Sequence, residues 1–118
     1  MTTTHINDID IYYEEHGPAD GEPVLLIMGF MSHAGIWFAQ VDALKERYRV
    51  IALDNRGAGR SSAPEGPYTI AQMADDAAGL LDYLGVKKAH VLGTSMGGTI
   101  TQELAIRHPK VVRSLVLG

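Results

Sequence analysis

A glycine-flanked serine is the residue of this 118-residue chain best suited to covalent chemistry. It lies in the pentapeptide Gly93-Thr94-Ser95-Met96-Gly97, which has the spacing Gly-x-Ser-x-Gly. That spacing is typical of a nucleophile elbow, a sharp strand-to-helix turn that exposes the serine hydroxyl, and glycine is favoured because side chains there would collide. Glycines around a serine also occur in ordinary flexible turns, so the interpretation depends on the neighbouring elements.

The elements on either side of Ser95 favour the nucleophilic interpretation. Residues 89–93 (AHVLG) have the pattern of a buried strand, and residues 96–107 have that of a helix stopped by Pro109. The beginning of that helix would direct its first N–H groups and the positive end of its dipole toward the serine hydroxyl, which favours an oxyanion there. We therefore predict Ser95 as a nucleophile and the Met96 N–H as an oxyanion donor.

Short apolar runs alternate with helical stretches along the chain, which indicates an α/β fold. The predicted strands are residues 2–6, 9–15, 24–28, 49–53, 89–93 and 111–117, and the predicted helices are residues 36–46, 70–84 and 96–107. The first two strands form an antiparallel hairpin around Asn7-Asp8. The uninterrupted run VLLIM at 24–28 is typical of a central strand covered on both faces. Thr69 with Gln72 predicts a capping box at the start of the second helix.

The composition excludes several classes of protein. The chain carries 10 basic and 14 acidic residues, a net charge of −4, and no basic run longer than Lys87-Lys88, so we expect no nucleic-acid and no membrane partner. It has no cysteine, which excludes disulfides and Cys-ligated zinc and suits a reducing compartment. The sequence shows neither a membrane span nor a secretory signal. These observations predict one domain with a cytoplasmic location.

Taken together, the motifs resemble the α/β-hydrolase-fold serine hydrolases, in the branch of esterases, lactonases and cofactor-free haloperoxidases. Besides the elbow, the resemblance rests on LLIMGF at residues 25–30, on Trp37, and on DNRGAGRS at residues 54–61, which is similar to the family's Asp-x-Arg-Gly-x-Gly-x-Ser loop. It covers essentially the whole chain and implies a mostly parallel sheet with helices on both faces. Met28 is a departure, because many relatives carry His at this position.

The resemblance also implies an activity and a set of site residues. Ser95 would attack the carbonyl carbon of a small-molecule carboxylic ester or lactone, and the backbone N–H groups of Phe30 and Met96 would hold the oxyanion. No metal and no organic cofactor is expected. A serine at position 95 argues against the dehalogenase and epoxide-hydrolase branches, whose nucleophile is a carboxylate. The family uses the loop of Asp54 and Arg56 mainly to brace the active-site rim, which we favour over a catalytic role.

The acid and the histidine of a catalytic triad do not emerge from the sequence. The family order is Ser, then Asp or Glu, then His, and only Glu103 and His108 follow Ser95 as candidates. His108 lies at the far end of the helix that begins at the elbow, about 20 Å away at 1.5 Å per residue. His90 is predicted near the opposite edge of the sheet. Only His33 could approach the serine, and we interpret it as an ordinary pocket or surface histidine.

Two hypotheses follow from the lack of an identifiable triad acid and histidine. The first is that residues 1–118 are the N-terminal part of a single α/β-hydrolase domain, truncated after the sixth strand, with the acid and the histidine absent from this chain. The second is a non-catalytic binding or interaction module, or an inactive fragment, that retains the elbow. Under either hypothesis the strand at 111–117 (VVRSLVL) carries a single charge, Arg113, so its open edge predicts self-association of the 118-residue chain.

Overall fold

The computed structural model describes residues 2–27, 38–58, 61, 63 and 68–117. In chain order the described elements are strand β1 (Thr2–Ile6), strand β2 (Ile9–His16), strand β3 (Glu22–Ile27), helix α1 (Phe38–Leu44), strand β4 (Tyr48–Leu53), helix α2 (Ile70–Tyr83), strand β5 (Ala89–Gly93), helix α3 (Met96–Arg107), a 3₁₀ turn (Pro109–Val111) and strand β6 (Val112–Leu117). Four residues singled out in the sequence, Met28, Phe30, His33 and Trp37, lie outside the described residues.

The strands form a six-stranded sheet in the order β1-β2-β4-β3-β5-β6. β3 pairs in parallel with β4 on one side and with β5 on the other, so the predicted central strand is confirmed. β5 pairs in parallel with β6, whereas β2 is antiparallel to both β1 and β4. Among the described strands, β2 alone therefore runs against the rest, and β1 has the direction of the parallel strands although it belongs to the antiparallel hairpin.

Helices cover both faces of this sheet, as the α/β pattern predicts. On one face, Val41 of α1 packs with Val24 and Leu26 of β3. On the other face, α2 and α3 pack over Leu25 and Ile27, because neighbouring side chains of a strand point to opposite sides. All of residues 24–27 are buried as a result, which explains the uninterrupted apolar run in the sequence.

Helix α2 begins and ends with the signals seen in its sequence. Thr69 Oγ1 accepts a hydrogen bond from the Gln72 N–H at 3.0 Å, and Gln72 Oε1 accepts one from the Thr69 N–H at 2.9 Å, which is a capping box. At the other end Gly85 has a φ of 72°. There the Val86 N–H donates to the Leu81 carbonyl at 2.8 Å, the longer bond of a Schellman motif.

Several element boundaries differ from the prediction by one or two residues, and two of them have a clear local cause. Helix α1 ends at Leu44 instead of at 46, because the Arg47 N–H donates to the Leu44 carbonyl and closes a tight turn. The last strand begins at Val112 instead of at 111, because Pro109 starts a 3₁₀ turn, a position at which its missing N–H costs nothing. In the described part of the chain, no helix has the length and apolar character needed to cross a membrane.

Candidate active site

The carboxyl ends of the parallel strands lie side by side in the sheet. Ile27, the last residue of β3, is opposite Leu53 of β4 on one side and Gly93 of β5 on the other. Gly93 is in turn opposite Leu117 of β6. The segments that follow these strands therefore leave the sheet at one edge. Ser95 lies at this edge directly beyond the end of β5, which is where ligands bind in sheets of this kind.

Ser95 occupies the strand-to-helix turn in a strained backbone conformation. Its φ is 55° and its ψ is −123°, and it is the N-cap residue of α3. A positive φ is unusual for a residue with a side chain. Ser95 is exposed, and its side chain makes no capping hydrogen bond to α3, so helix capping does not occupy the hydroxyl. The predicted turn with positive φ is confirmed.

Gly93 allows β5 and α3 to approach each other closely. A Cβ atom at this position would overlap the carbonyl oxygen of Gly97 and the side-chain oxygen of Thr101. The hydroxyl of Thr101, which is buried, donates to that same Gly97 carbonyl at 2.8 Å. The backbone of the first turn of α3 is therefore packed directly on the end of β5. This is the steric reason that the Gly-x-Ser-x-Gly pattern predicts for its first glycine.

The Met96 N–H, which the sequence predicts as an oxyanion donor, lies at the beginning of α3. Met96 is the first residue of the helix. The next two N–H groups, of Gly97 and Gly98, donate to the carbonyls of Thr94 and Ser95 at 2.8 and 2.9 Å. The positive end of the helix dipole favours a negative charge beside Ser95. The Met96 N–H thus has the place expected of an oxyanion donor. The second predicted donor, the N–H of Phe30, lies outside the described residues.

The segment after β4, residues 54–58, is called here the β4 loop. It begins at the same sheet edge as Ser95 and starts with Asp54, which is buried. The buried hydroxyl of Ser61 donates to the Asp54 carbonyl at 2.6 Å and accepts a hydrogen bond from the Tyr12 N–H at 2.9 Å. The base of the β4 loop is therefore attached to strand β2.

A buried ion pair connects the β4 loop to helix α2. Arg56 Nε donates to Asp76 Oδ2 at 2.7 Å, and Arg56 Nη2 donates to Asp76 Oδ1 at 2.9 Å. The two side chains are 10% and 1% exposed. Hydrogen bonding to Asp76 raises the pKa of Arg56 above its already high ordinary value. The guanidinium is thus held by the fold, which agrees with a bracing role for this loop.

The sequence analysis did not single out Asp76, although its position carries a signal. Asp76 lies between Met73 and Ala77 on the buried face of α2. A carboxylate within an apolar stripe needs a buried partner, because burial of an unpaired charge is costly. Asn7, at the turn of the β1–β2 hairpin, supplies a further hydrogen bond to Asp76 Oδ1 at 3.3 Å.

The described histidines are bonded to carboxylates away from Ser95. The pairs are His5 with Asp10 at 3.0 Å, His16 with Glu14 at 3.2 Å, His90 with Glu22 at 3.1 Å, and His108 with Asp75 at 2.7 Å. His108 follows the last residue of α3, and His90 lies near the start of β5, so each is at the opposite end of its element from Ser95. The structure therefore agrees with the prediction that neither is the base.

Comparison with known proteins places this geometry in a family. A family model for the alpha/beta hydrolase fold matches residues 22–117. The "Putative carbamate hydrolase RutD" of Azorhizobium caulinodans is 46% identical over 117 residues, which cover 99% of this chain and 43% of that protein. The 3-oxoadipate enol-lactonase 2 of Acinetobacter baylyi is 34% identical over 116 residues, 98% of this chain and 43% of that protein. The chain thus spans less than half the length of these relatives.

Solved structures show the same arrangement. A hydrolase from Pseudomonas aeruginosa superposes with a TM-score of 0.95 at 38% identity, over 98% of this chain and 44% of that one. The match therefore extends over nearly the whole of this chain. The chain belongs to the α/β-hydrolase family.

Proposed function

We propose that Ser95 is the nucleophile of a hydrolase that acts on carboxylic ester or lactone bonds of small molecules. The observation that carries this proposal is the backbone of Ser95, which has a positive φ at the N-terminus of α3 and lies at the carboxyl edge of the parallel sheet. The similarity to 3-oxoadipate enol-lactonase 2 supports a lactone-type substrate.

In the proposed reaction, Ser95 Oγ attacks the carbonyl carbon of the substrate while its proton passes to a histidine. The carbonyl oxygen becomes an oxyanion, which the N–H groups of Met96 and Phe30 hold. The carbon–oxygen bond to the leaving group then breaks, the leaving oxygen takes the proton from the histidine, and an acyl-enzyme remains. Water then attacks the acyl carbon and gives its proton to the histidine. The bond from the acyl carbon to Ser95 Oγ breaks, Oγ takes that proton back from the histidine, and the carboxylic acid is released. No step calls for a metal ion or an organic cofactor.

We propose that the histidine and its carboxylate partner come from outside residues 1–118. The chain is then the N-terminal part of one domain. The described histidines are held by carboxylates elsewhere in the fold. The chain also spans only 43% of each of the two named relatives. His33, outside the described residues, is the alternative base within this sequence. The competing hypothesis is a non-catalytic binding module that retains the elbow.

A carbamate is the second candidate substrate, because the RutD relative is 46% identical. A carbamate has the same carbonyl carbon for Ser95 to attack and forms the same oxyanion. Its nitrogen donates electrons to that carbonyl and makes it less electrophilic than an ester carbonyl. Values of kcat/KM for an ester, a lactone and a carbamate with matched leaving groups would rank the three substrate classes directly.

The test of the nucleophile is covalent labelling of the full-length protein with a serine-reactive phosphonate, followed by peptide mass spectrometry. We expect the label on Ser95. The Ser95→Ala variant should lose the label and about 10⁴-fold or more of kcat. Ser114→Ala is a matched control, because Ser114 is also exposed and bonds to a histidine, His90, but lies near the start of β6 and away from the elbow.

Ser114→Ala should therefore keep both the label and the turnover. A label elsewhere, or ester turnover that survives Ser95→Ala, would reject Ser95 as the nucleophile. A protein that is neither labelled nor active on any of the three substrate classes would support the non-catalytic module.

A further inference from the structure

A buried hydroxyl bonds to the first turn of α3, close to Ser95. Thr101 is 0% exposed, and its Oγ1 donates to the Gly97 carbonyl at 2.8 Å. The other buried side chains of this helix, those of Ile100 and Leu104, are apolar and belong to the main core. A buried hydroxyl needs a partner, and the carbonyl four residues earlier is a common partner for a threonine in a helix. What distinguishes Thr101 is the carbonyl to which it bonds.

The Gly97 carbonyl belongs to a chain of hydrogen bonds that ends at the Met96 N–H. It shares a peptide group with the Gly98 N–H, which donates to the Ser95 carbonyl at 2.9 Å. The Ser95 carbonyl in turn shares a peptide group with the Met96 N–H, the proposed oxyanion donor. Two peptide groups in series therefore connect the Thr101 hydroxyl to the place where negative charge develops.

Hydrogen bonds in such a chain strengthen one another. When a carbonyl accepts a hydrogen bond, electrons of its peptide group shift toward the oxygen, and the N–H of the same group becomes a stronger donor. The gain is about 10–30% per bond. Thr101 and Gly97 are both buried, so water does not compete for the bond between them. That bond therefore polarises the chain toward the Met96 N–H.

Packing against β5 holds the bond between Thr101 and Gly97 in place. A Cβ atom at Gly93 would overlap both the Thr101 Oγ1 and the Gly97 carbonyl oxygen, so both atoms lie directly against the backbone of Gly93. Threonine is also branched at Cβ, which restricts its side chain to few rotamers. The hydroxyl is therefore fixed relative to the end of the strand that precedes Ser95.

We propose that Thr101 is a positioning residue of the active site, which acts through two peptide groups to strengthen the Met96 N–H as an oxyanion donor. This assignment rests on the proposed role of Ser95. Because Thr101 is fully buried, it does not touch the substrate. Its effect is larger in the transition state than in the bound substrate, because the negative charge develops only as Ser95 attacks. Thr101 therefore governs kcat and leaves KM unchanged.

The experiment compares Thr101→Ser with Thr101→Ala in the full-length protein. Both variants lose the methyl group of threonine, and only the alanine variant also loses the hydroxyl. We expect Thr101→Ser to keep the wild-type kinetics. Loss of a whole oxyanion donor lowers kcat about 10²–10³-fold, so the weakening of one donor in Thr101→Ala should lower kcat on an ester about threefold. KM should stay unchanged, and phosphonate labelling of Ser95 should slow by the same factor.

A spectroscopic measurement follows the donor itself. In protein that contains ¹⁵N-labelled methionine, the amide proton of Met96 reports the strength of its hydrogen bond to the phosphonate oxygen attached to Ser95. A stronger hydrogen bond shifts this proton to lower field. We expect the Met96 signal to lie at higher field in Thr101→Ala than in Thr101→Ser.

The matched control is Ile100→Val, because Ile100 is buried next to Thr101 in the same helix and belongs to the main core. Like the loss of a buried hydroxyl, the loss of one buried methylene group should lower the stability of the fold, which urea unfolding measures. Ile100→Val leaves the chain of hydrogen bonds intact. It should therefore keep the wild-type kcat, labelling rate and Met96 signal.

Equal kcat, labelling rate and Met96 signal in Thr101→Ala and Thr101→Ser would overturn the proposal, and so would an equal loss of kcat in Ile100→Val. If Thr101→Ala does not fold, Thr101→Val takes its place, because valine keeps the shape of threonine without its hydroxyl. Thr101→Val should then show slower labelling and the shifted signal, and wild-type values would again overturn the proposal. Failure of the proposed function is distinct, since the wild-type protein would then carry no label at Ser95.

Discussion

Ser95 combines a strained backbone conformation with close packing of the strand and helix on either side of it. Its φ of 55° is unfavourable for a residue with a Cβ atom, at a cost of order 1–3 kcal/mol. The packing of α3 on β5 maintains it, because the helix begins at Met96 and its first turn contacts the backbone of Gly93. The local strain and the close packing are therefore one feature of the elbow.

Gly93 of the elbow and Gly98, in the first turn of α3, differ sharply in the space around them, so alanine substitutions at the two positions should have opposite effects on stability. Gly93→Ala should lower the free energy of unfolding by about 1–3 kcal/mol or more, because its new Cβ would overlap Gly97 and Thr101. Gly98→Ala should raise it by up to about 1 kcal/mol, because alanine is the better helix former and the nearest atom to its Cβ is at an ordinary 3.6 Å.

Urea unfolding of the two alanine variants beside the wild type measures both effects. Equal destabilisation of the two variants would show that the elbow tolerates no methyl group anywhere. A stable Gly93→Ala variant would show that β5 and α3 separate readily.

At the scale of the elements, α2 carries two adjacent carboxylates with different surroundings. Asp76 is buried against Arg56, whereas Asp75 is partly exposed and receives hydrogen bonds from Arg107 and His108 at the end of α3. The neighbouring positions point in different directions around the helix. One therefore ties α2 to the β4 loop and the other ties it to α3.

The contact of Asp75 predicts a pH-dependent stability. Hydrogen bonds from Arg107, and after it from His108, lower the pKa of Asp75. A folded-state pKa below the unfolded value of about 3.9 stabilises the fold above that pH, and the stabilisation is lost as the pH falls through the folded-state pKa. Asp75→Asn should therefore reduce stability at neutral pH, and only slightly because the carboxylate is 36% exposed.

The measurement is urea unfolding of wild type and Asp75→Asn from neutral to strongly acidic pH. The difference between the two proteins should shrink to zero in acid. Asp82→Asn is the control, because it removes a carboxylate from the exposed side of the same helix and leaves Arg107 and His108 in place. A difference that stays constant with pH would show that the ionised carboxylate of Asp75 is not what stabilises the fold.

Local signals predicted the elements well, and pairings distant in the sequence were not predicted. The capping box at Thr69 and the glycine at 85 act within a few residues, so they are visible in the sequence and appear in the structure. The pairing of Arg56 with Asp76 depends on how β4 and α2 meet in the folded sheet. No local pattern specifies that partner, and for this reason Asp76 was missed.

The same distinction applies to the candidate site. Ser95 and the N–H of Met96 belong to one turn, whose conformation the glycine spacing specifies, and the structure shows that turn. A base and an acid for Ser95 would come from other elements through tertiary contacts, which the spacing of one motif does not encode. The catalytic roles of Ser95, Met96 and Phe30 remain predictions, which the labelling and kinetic experiments test.

At the scale of the whole molecule, β6 predicts how the 118-residue chain behaves when it is expressed alone. β6 pairs with β5 along one edge, and Leu115, Val116 and Leu117 are 39%, 56% and 45% exposed. An apolar edge strand of this kind is a template for pairing with another chain. We expect the 118-residue chain to form dimers or larger species as its concentration rises.

Light scattering over a concentration series measures this association. Val116→Lys should shift the chain toward the monomer, because a lysine on an edge strand opposes pairing. A monodisperse wild-type monomer at high micromolar concentration would contradict the prediction.

The position of β3 between β4 and β5 has a consequence for synthesis on the ribosome. β3 leaves the ribosome early, and β4 can pair with one of its edges as soon as residue 53 has emerged. Its other edge pairs with β5 and stays open until residue 93 has been made. During that interval the apolar run from Val24 to Ile27 is accessible to other nascent chains and to chaperones. A strand that is buried along residues 24–27 in the folded sheet therefore keeps one unpaired edge until β5 has been made.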